Sequence, residues 1–429
     1  DVEKTYTNRH EQLGLIQGIN TFFQRADIRE LQSRDILNAI HSLEIFRNKP
    51  LPEIDAIFGG PPCQGYSRAG LRKKDDPRNT LFKEYLRIVR DIQPKYVVME
   101  NVEGFMDTKM DGFIGITGNT YPDGSLMPDI LIEEFNNIGY HTLEPQLLDA
   151  SDFGVPQRRI RAIFIAYLRG QAVPTYPEPT TPNEDDKVSV FEAISDLIIE
   201  PTIREKNFKN PSKYQLASIN GRTKALTGQP INSGGMIYNH NISSHNNLVT
   251  ERFSLFIEGE TSTMLKRRIR ENGLDINNFP YLLKECKSKL KETYTLEQII
   301  EGFQSPPVDD ILIEALLTRK NNRFRFNRET VSPTVLTLPD DYLTPFENRI
   351  PTVRELARLQ SFDDSFIFLG KRTTGGKRRK VEVPQYTQVG NAVPPLLAKA
   401  IASEILKAIE KGKTKKRNTI EQEHNIHLV

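Results

Sequence analysis

Apolar residues recur along this chain in two rhythms, and the alternation between them predicts an α/β fold. Ile54 to Phe58 is a short extended apolar run. Leu81 to Ile92 sets Leu81, Phe82, Tyr85, Ile88 and Val89 at helical spacing, and Tyr96 to Met99 is extended again. Strand, helix, strand implies a right-handed crossover in a parallel sheet, whose strands present their carboxyl ends to one crevice. The pattern continues with a helix over Ile130 to Phe135 and strands over Leu143 to Leu148 and Arg159 to Ala166. Upstream, Ile28 to Leu43 reads as a helix that Asp27 is placed to cap.

From Ala172 the composition turns to proline, threonine and asparagine (Pro174, Pro177, Pro179, Pro182), which marks a boundary. Residues 1 to 168 are read as one domain and about 169 to 330 as a smaller one, mainly β or irregular. Leu265, the 311 to 317 run and Val331 to Leu338 supply the core of that second region, but its strand order is not legible. Thr352, after Pro351, caps a helix from Val353 to Gln360. A last helix from Pro395 to Ile409 carries Leu396, Leu397, Ala400, Ile401 and Ile405 and returns the chain to the first domain, so that 331 to 410 links the two. The charged tail, Lys411 to Val429, is expected to be disordered.

A chain of 429 residues can bury two cores, and 37% hydrophobic residues with a mean hydropathy of −0.49 suit a globular protein. No apolar run reaches the roughly 18 residues that a membrane-spanning helix needs. Cys63 and Cys286 lie far apart and form neither a disulfide framework nor a zinc-ligand spacing, so a reducing cytoplasm is the expected setting. The formal charge of +2, from 58 basic and 56 acidic residues, says little about partners, because nucleic-acid binding needs a basic face and not a basic total. Local clusters say more: Lys266-Arg-Arg-Ile-Arg270, Lys371-Arg372 with Lys377-Arg-Arg-Lys380, and Lys411 to Arg417, the last being read as a solvated tail.

The chemistry is expected at Phe58-Gly-Gly-Pro-Pro-Cys-Gln-Gly-Tyr-Ser67, where a strand runs into a Gly/Pro loop that presents one thiol. Pro61 and Pro62 fix two φ angles, while Gly59 and Gly60 let another group approach the backbone. Cys63 is the candidate nucleophile; a lone cysteine is otherwise most often a small buried side chain. In an extended segment Gln157, Arg159 and Arg161 share a face, with Ile160, Ala162 and Phe164 turned to the core. Phe113-Ile-Gly-Ile-Thr-Gly118 follows no strand and opens no helix, and is read as a surface loop. The polar stretch Asn232 to Asn241 is read as a loop. His240 and His245, without cysteines or nearby carboxylates, make a poor metal signature, and no metal is expected.

Five motifs in order, Pro61-Pro-Cys-Gln64, Met99-Glu-Asn-Val102, Gln157-Arg-Arg-Ile-Arg161, Val353 to Gln360 and Gly390-Asn-Ala-Val-Pro394, resemble those of the bacterial DNA cytosine-5 methyltransferases of restriction-modification systems. The resemblance covers about residues 1 to 168 and 330 to 408. It implies a Rossmann-like sheet that binds S-adenosylmethionine (AdoMet), and places a variable target-recognition region at 169 to 330. Double-stranded DNA is then the substrate, with a restriction endonuclease of the same specificity as a potential partner and a monomer as the expected state. On the matching positions, Cys63, Gln64, Glu100, Asn101, Arg159 and Arg161 are catalytic. Asp27, Ile28, Gly60, Pro62, Leu81, Asn391 and Val393 border the cofactor, Asp27 accepting from the adenine amine or simply capping a helix. Ser67, Gln157, Lys266, Arg267 and Arg268 are assigned to DNA.

The family's FxGxG-type loop and the following acidic residue have no counterpart in this sequence. The chain is therefore expected to start downstream of them, and to hold AdoMet poorly unless they are supplied. Cytosine C5 is a weak nucleophile, so a thiolate must first add at C6, while a carboxyl group shares a proton at N3; Glu100 takes that role. A target inside a duplex must first be flipped out. Three other readings compete: a tRNA cytosine methyltransferase, a catalytically silent DNA-binding subunit, and a cysteine hydrolase, for which no motif offers a histidine base.

Overall fold

A computed structural model describes residues 1–62, 81–318, 323–375, 378 and 381–426. Its contacts divide the chain into two units that interleave in sequence. One comprises His10–Gly154, Arg158–Glu184 and Pro394–Val429, the other Asp1–Arg9, Val155–Gln157 and Asp185–Val393.

The first unit is built on strands β1 (Ala56–Gly59), β2 (Tyr96–Val102), the small hairpin β3 (Lys109–Met110) and β4 (Ser125–Leu126), then β5 (Tyr140–Thr142), β6 (Gln146–Asp149) and β7 (Ile160–Leu168). Ahead of these, helix α1 (Val2–Leu13) opens the chain and α2 (Ser33–His41) follows; α3 (Leu81–Ile92) separates β1 from β2, and α4 (Met127–Asn137) precedes β5. β1 and β2 pair in parallel, Ala56 opposite Tyr96 and Gly59 opposite Met99, as the strand, helix, strand pattern requires. β7 lies antiparallel against the other side of β2, and β5 and β6 both pair antiparallel with β7. The sheet is therefore mixed, where the sequence pattern suggested parallel. β7 is buried along Ala162–Ala166 and so has apolar residues on both faces, a composition shared by any central strand whatever its direction.

Helix α3 buries Phe82, Tyr85, Leu86, Ile88 and Val89 in a core shared with Val97, Met99, Leu131, Phe135, Phe164 and neighbours. Three local expectations are corrected here. The helix proposed from Ile28 starts at Ser33: the Asp27 carbonyl accepts from Glu30 and Leu31 in a separate turn. Of the strand proposed over 143 to 148 only Gln146 to Leu148 lie in a strand, β6; 143–145 form the break after β5, where Pro145 has no N–H to give. The tail beyond Ile409 continues helix α15 (introduced below) to Ile426, because its Lys, Glu, Arg and Gln are good helix formers although few are apolar.

The second unit carries α5 (Val190–Ile194), α6 (Pro201–Asn207), α7 (Lys213–Asn220), α8 (Asn247–Ser254), α9 (Ser262–Asn272), α10 (Pro280–Leu290), α11 (Leu296–Gln304), α12 (Asp310–Leu316), α13 (Val353–Leu359) and α14 (Gln385–Asn391). Its strands among the described residues are the two-residue pair β8 (Phe324–Arg325) and β9 (Tyr342–Leu343); α15 (Pro395–Ile426) belongs to the first unit. Among the described residues the regular elements of this second region are thus helices and hardly any strand, joined by long irregular stretches, so the β part of the expectation is corrected. The start signals of these helices are written in the sequence: Ser189 with Glu192, Ser212 with Gln215 and Thr295 with Gln298 all form reciprocal capping boxes. Leu265, Ile269, Leu282, Cys286, Ile299, Phe303, Leu312 and Leu316 then pack as one core.

Helix α13 begins at the Thr352 cap, with Glu355 closing the box, and is buried throughout. Two of its residues are fully buried arginines. Arg358 pairs with both Asp196 (3.0 Å) and Asp364 (2.6 Å), and Arg354 gives its guanidinium to the carbonyls of Tyr238, Asp363 and Phe366. A buried guanidinium is tolerated only when its donors are satisfied, which explains why acids 6 and 162 residues away converge on one helix.

Candidate active site

Glu100 and Asn101 lie near the carboxyl end of β2, just before its last residue Val102, and β1 ends in Gly59, opposite Met99, followed by Gly60-Pro61-Pro62. Glu100 Oε1 lies 2.8 Å from Nε of Arg161, in an ion pair whose side chains are 22% and 12% exposed. Their backbones occupy neighbouring positions on paired strands: Glu100 is opposite Ile163 and Val102 opposite Arg161. Burial pushes the Arg161 guanidinium down, and the field and hydrogen bond of Glu100 oppose that shift. Arg161 also donates to the Ile160 carbonyl at 2.7 Å.

The two glycines are required by what lies against them. A Cβ on Gly60 would stand 3.2 Å from Glu100 Oε2, so the loop backbone closes down on that carboxylate. A Cβ on Gly59 would meet the Tyr85 ring at 2.3 Å. That ring is pinned by its hydroxyl, which donates to the Val98 carbonyl at 2.9 Å, and burial raises the phenol well above its ordinary range. Asn101 is buried; its amide donates to the Pro61 carbonyl (3.2 Å), and its Oδ1 accepts from Val102 N–H (2.9 Å). Asn101 thus holds the base of the Pro-Pro loop. Cys63, Gln64 and Ser67 lie outside the described residues.

Arg159 is buried, its backbone tied to Asp149 Oδ1 through its N–H (3.0 Å) and to the Ala150 N–H through its carbonyl. Asp149 went unnoticed in the sequence. It caps the turn after β6 by accepting from Ser151 and also faces Arg158 at 3.5 Å, and its signal was the Asp-Ala-Ser spacing of a cap. Gln157 does not share the face of the two arginines. It belongs to the other unit, is wholly buried, donates to Gln360 Oε1 (2.9 Å) and accepts from Val335 N–H (2.7 Å), which leaves its amide unsuited to contacting DNA. The alternation rule failed there because β7 starts only at Ile160.

At the cofactor positions, the Asp27 carboxylate is solvent-facing and gripped by Arg29, whose hydrogen bonds hold its pKa near 2. The Ile28 carbonyl accepts from Arg87 at 2.8 Å. Leu81 is the first residue of α3, whereas Asn391 ends α14 in the other unit and Val393 is half-buried. Of the DNA candidates on α9, Arg267 is paired with Glu271 (2.8 Å), and Arg268 with Glu260 (2.8 Å) and the Leu255 carbonyl. This is no free basic face: the sequence shows the cations of a helix but not the acids that folding brings to them. Lys371 likewise pairs with Glu382, and Arg372 donates to the carbonyls of Asn241 and Ile242.

His240 lies between Thr352 Oγ1 and the Leu197 carbonyl, both at 2.9 Å, and burial lowers its pKa. Cys286 is a core residue whose thiol burial pushes up to about 11. The 113–120 segment is a turn within the β3–β4 hairpin, but Phe113 is not on the surface: it stacks on Phe82 at 5.3 Å, and the buried Glu134 accepts from Ile116 N–H and Tyr121.

The fold is that of a methyltransferase. A solved E. coli protein, assigned as a DNA modification methyltransferase encoded within a prophage, superposes with a TM-score of 0.56 at 20% identity, covering 91% of this chain and 87% of that one. The family follows from sequence: residues 28–407 match the model of the C-5 cytosine-specific DNA methylases, and the chain belongs to that family. It is similar to the type II methyltransferase M.DdeI of Desulfomicrobium norvegicum, 32% identical over 357 residues, 82% of this chain and 72% of the relative. Similarity to the type II methyltransferase M.AgeI of Thalassovita gelatinovora is 28% over 397 residues, 83% and 84% of the two chains. The chain is accordingly a DNA (cytosine-5-)-methyltransferase, of a family whose usual methyl donor is AdoMet. Among the described residues no helix is long and apolar enough to cross a membrane.

Proposed function

We propose that this chain methylates cytosine C5 within one double-stranded DNA sequence, using Cys63 as nucleophile and Glu100 as the acid at N3, and thereby protects that sequence from a restriction endonuclease. The observation that carries the site assignment is the Glu100–Arg161 ion pair at the end of β2, with the Gly60 backbone against the same carboxylate. The residues fit AdoMet: Asp27 is an exposed, ionised acceptor for an adenine amine, and a side chain at position 60 would crowd Glu100. Asp27, Ile28, Gly60, Pro62 and Leu81 would hold the cofactor. When bound, AdoMet supplies an electrophilic methyl group.

The chain's own residues do the rest. The Cys63 thiolate adds to C6, and the electron pair displaced from the ring double bond makes C5 nucleophilic. A proton held by Glu100 at N3 stabilises the charge that addition creates, while Arg161 keeps the carboxyl group oriented. After C5 is methylated, loss of the C5 proton returns the electron pair and expels Cys63. Residues 169 to 330 are proposed to choose the sequence; Met236, Ile237 and Ile242 in the 232–245 loop are largely exposed and offer apolar contact to a base.

DNA carrying 5-fluorocytosine cannot lose a proton at C5, so the covalent intermediate persists. The intact protein should yield an SDS-stable adduct and Cys63→Ser none, with DNA binding retained. An adduct in the serine variant would remove Cys63 from its role.

A further inference from the structure

Helix α3 carries two stripes of side chains. Phe82, Tyr85, Leu86 and Val89 face the core, while Glu84, Arg87 and Asp91, at positions i, i+3 and i+7, share another face. That polar face meets residues 28–33, which lead from the turn at Asp27 into α2. Arg87 is held from within its own helix by Glu84, whose carboxylate accepts from Nε at 2.8 Å, so the guanidinium is already oriented. One terminal nitrogen of Arg87 then donates to two carbonyls of the segment, those of Ile28 (2.8 Å) and Leu31 (2.9 Å). One turn further along, Asp91 accepts from the hydroxyl of the buried Ser33 at 2.9 Å.

These contacts reach Asp27 through the backbone. The Asp27 carbonyl accepts from the N–H groups of Glu30 and Leu31, both at 3.0 Å, and the turn ends before α2 starts at Ser33. A turn this short leaves carbonyls for which no helix ladder offers an N–H, and Arg87 supplies the donors. The Asp27 carboxylate is set by the same turn, since it accepts from the N–H of Arg29 (3.0 Å) and from its Nε (2.9 Å). None of residues 27–31 is buried, so apolar contact does little to fix the turn, and a planar donor with fixed geometry carries much of that task. The Glu84–Arg87 pair is itself 28% and 20% exposed and adds little to global stability. Every one of these groups lies in the first unit.

We propose that Arg87 is a positioning residue for AdoMet, holding the 27–31 turn in the conformation in which Asp27 accepts from the adenine amine. The proposal rests on the assignment of Asp27 and Ile28 to the cofactor, and it requires no contact between Arg87 and the ligand. A ligand that binds one conformation of a turn loses apparent affinity in proportion to the population of that conformation. If about a tenth of the molecules keep the turn once Arg87 is gone, binding weakens about tenfold. The loss falls on binding and spares the chemical step, because AdoMet once bound selects the same turn geometry.

Calorimetry with AdoMet and amide hydrogen exchange of the ligand-free chain test this together. In Arg87→Gln, AdoMet should bind about tenfold more weakly, the amides of Glu30 and Leu31 should exchange faster without ligand, and urea unfolding should change little. KM for AdoMet should rise in step, with kcat at saturating AdoMet retained. Arg87→Lys, a flexible point charge, should restore part of the affinity. Glu84→Gln only loosens the guanidinium and should give a smaller loss, which serves if Arg87→Gln does not fold. Arg90→Gln removes the same charge one turn away, at a 42% exposed position, and should leave both readouts unchanged. Unchanged affinity or unchanged exchange in Arg87→Gln, or an equal loss in Arg90→Gln, would overturn the proposal. Absence of any AdoMet binding by the intact chain would instead refute the assignment of Asp27 and Ile28 to the cofactor, and the proposal with it.

Discussion

Replacing Glu100 by Gln separates chemistry from architecture. The carboxylate is 22% exposed and its partner Arg161 12%, so the 2.8 Å pair is neither a surface contact nor a fully buried one. Breaking a surface pair costs about 0–1 kcal/mol and a buried one about 3–5 kcal/mol; this position falls between, at about 2 kcal/mol, because the glutamine oxygen still accepts from the guanidinium. A domain with about 5–15 kcal/mol of stability survives that loss. Catalysis should suffer more. A positioned acid is worth about 10²–10⁴-fold, or roughly 3–5 kcal/mol of barrier, and the amide has no proton to share at N3. The assay is single-turnover methyl transfer at saturating duplex, with DNA affinity and urea unfolding measured on the same preparation. Arg161→Met supplies the control: the two substitutions should couple in stability, whereas the rate loss from Glu100→Gln should persist in the Arg161→Met background. Equal losses in rate and DNA affinity, or a rate restored once Arg161 is gone, would refute a transition-state role for Glu100.

Three further outcomes follow from the geometry. Gly59→Ala drives a methyl group into the Tyr85 ring and should destabilise the first unit by about 1–3 kcal/mol; in a Tyr85→Ala background the same change should cost little, and additive penalties in urea unfolding would contradict the contact. His240 is buried with a lowered pKa, so it stays neutral in the fold while the unfolded chain gains a proton below about pH 6.5. Its contribution is therefore complete above that pH and is lost as pH falls toward the folded-state value. The stability difference between wild type and His240→Gln should shrink between pH 7.5 and 5.5, and a difference independent of pH would argue against it. Exchange of residues 169 to 330 for those of a relative should change which sequence is methylated without changing the methylated atom, as read by bisulfite sequencing; an unchanged site pattern would place sequence choice elsewhere.

Local sequence alone determined the elements around the site. The helix over Leu81–Ile92, the strand at Tyr96, the Thr352 cap and the parallel β1–β2 pair are set by periodicity, capping chemistry and the crossover rule, all of which act within some 40 residues. The motif residues were legible for the same reason, since glycines, prolines and a carboxylate at a strand end have meaning before any folding. Only the tertiary structure decided what each charged or polar side chain meets. Gln157 became a core amide, Arg267 and Arg268 found Glu271 and Glu260, and Arg358 found an acid 162 residues away, because ion pairs and buried hydrogen bonds depend on positions brought together by packing. The helical character of the second unit lay between these cases. Its capping boxes were present in the sequence, but short helices gain most of their stability from the core they bury, and that core, from Phe253 to Ile350, assembles from segments far apart in the chain.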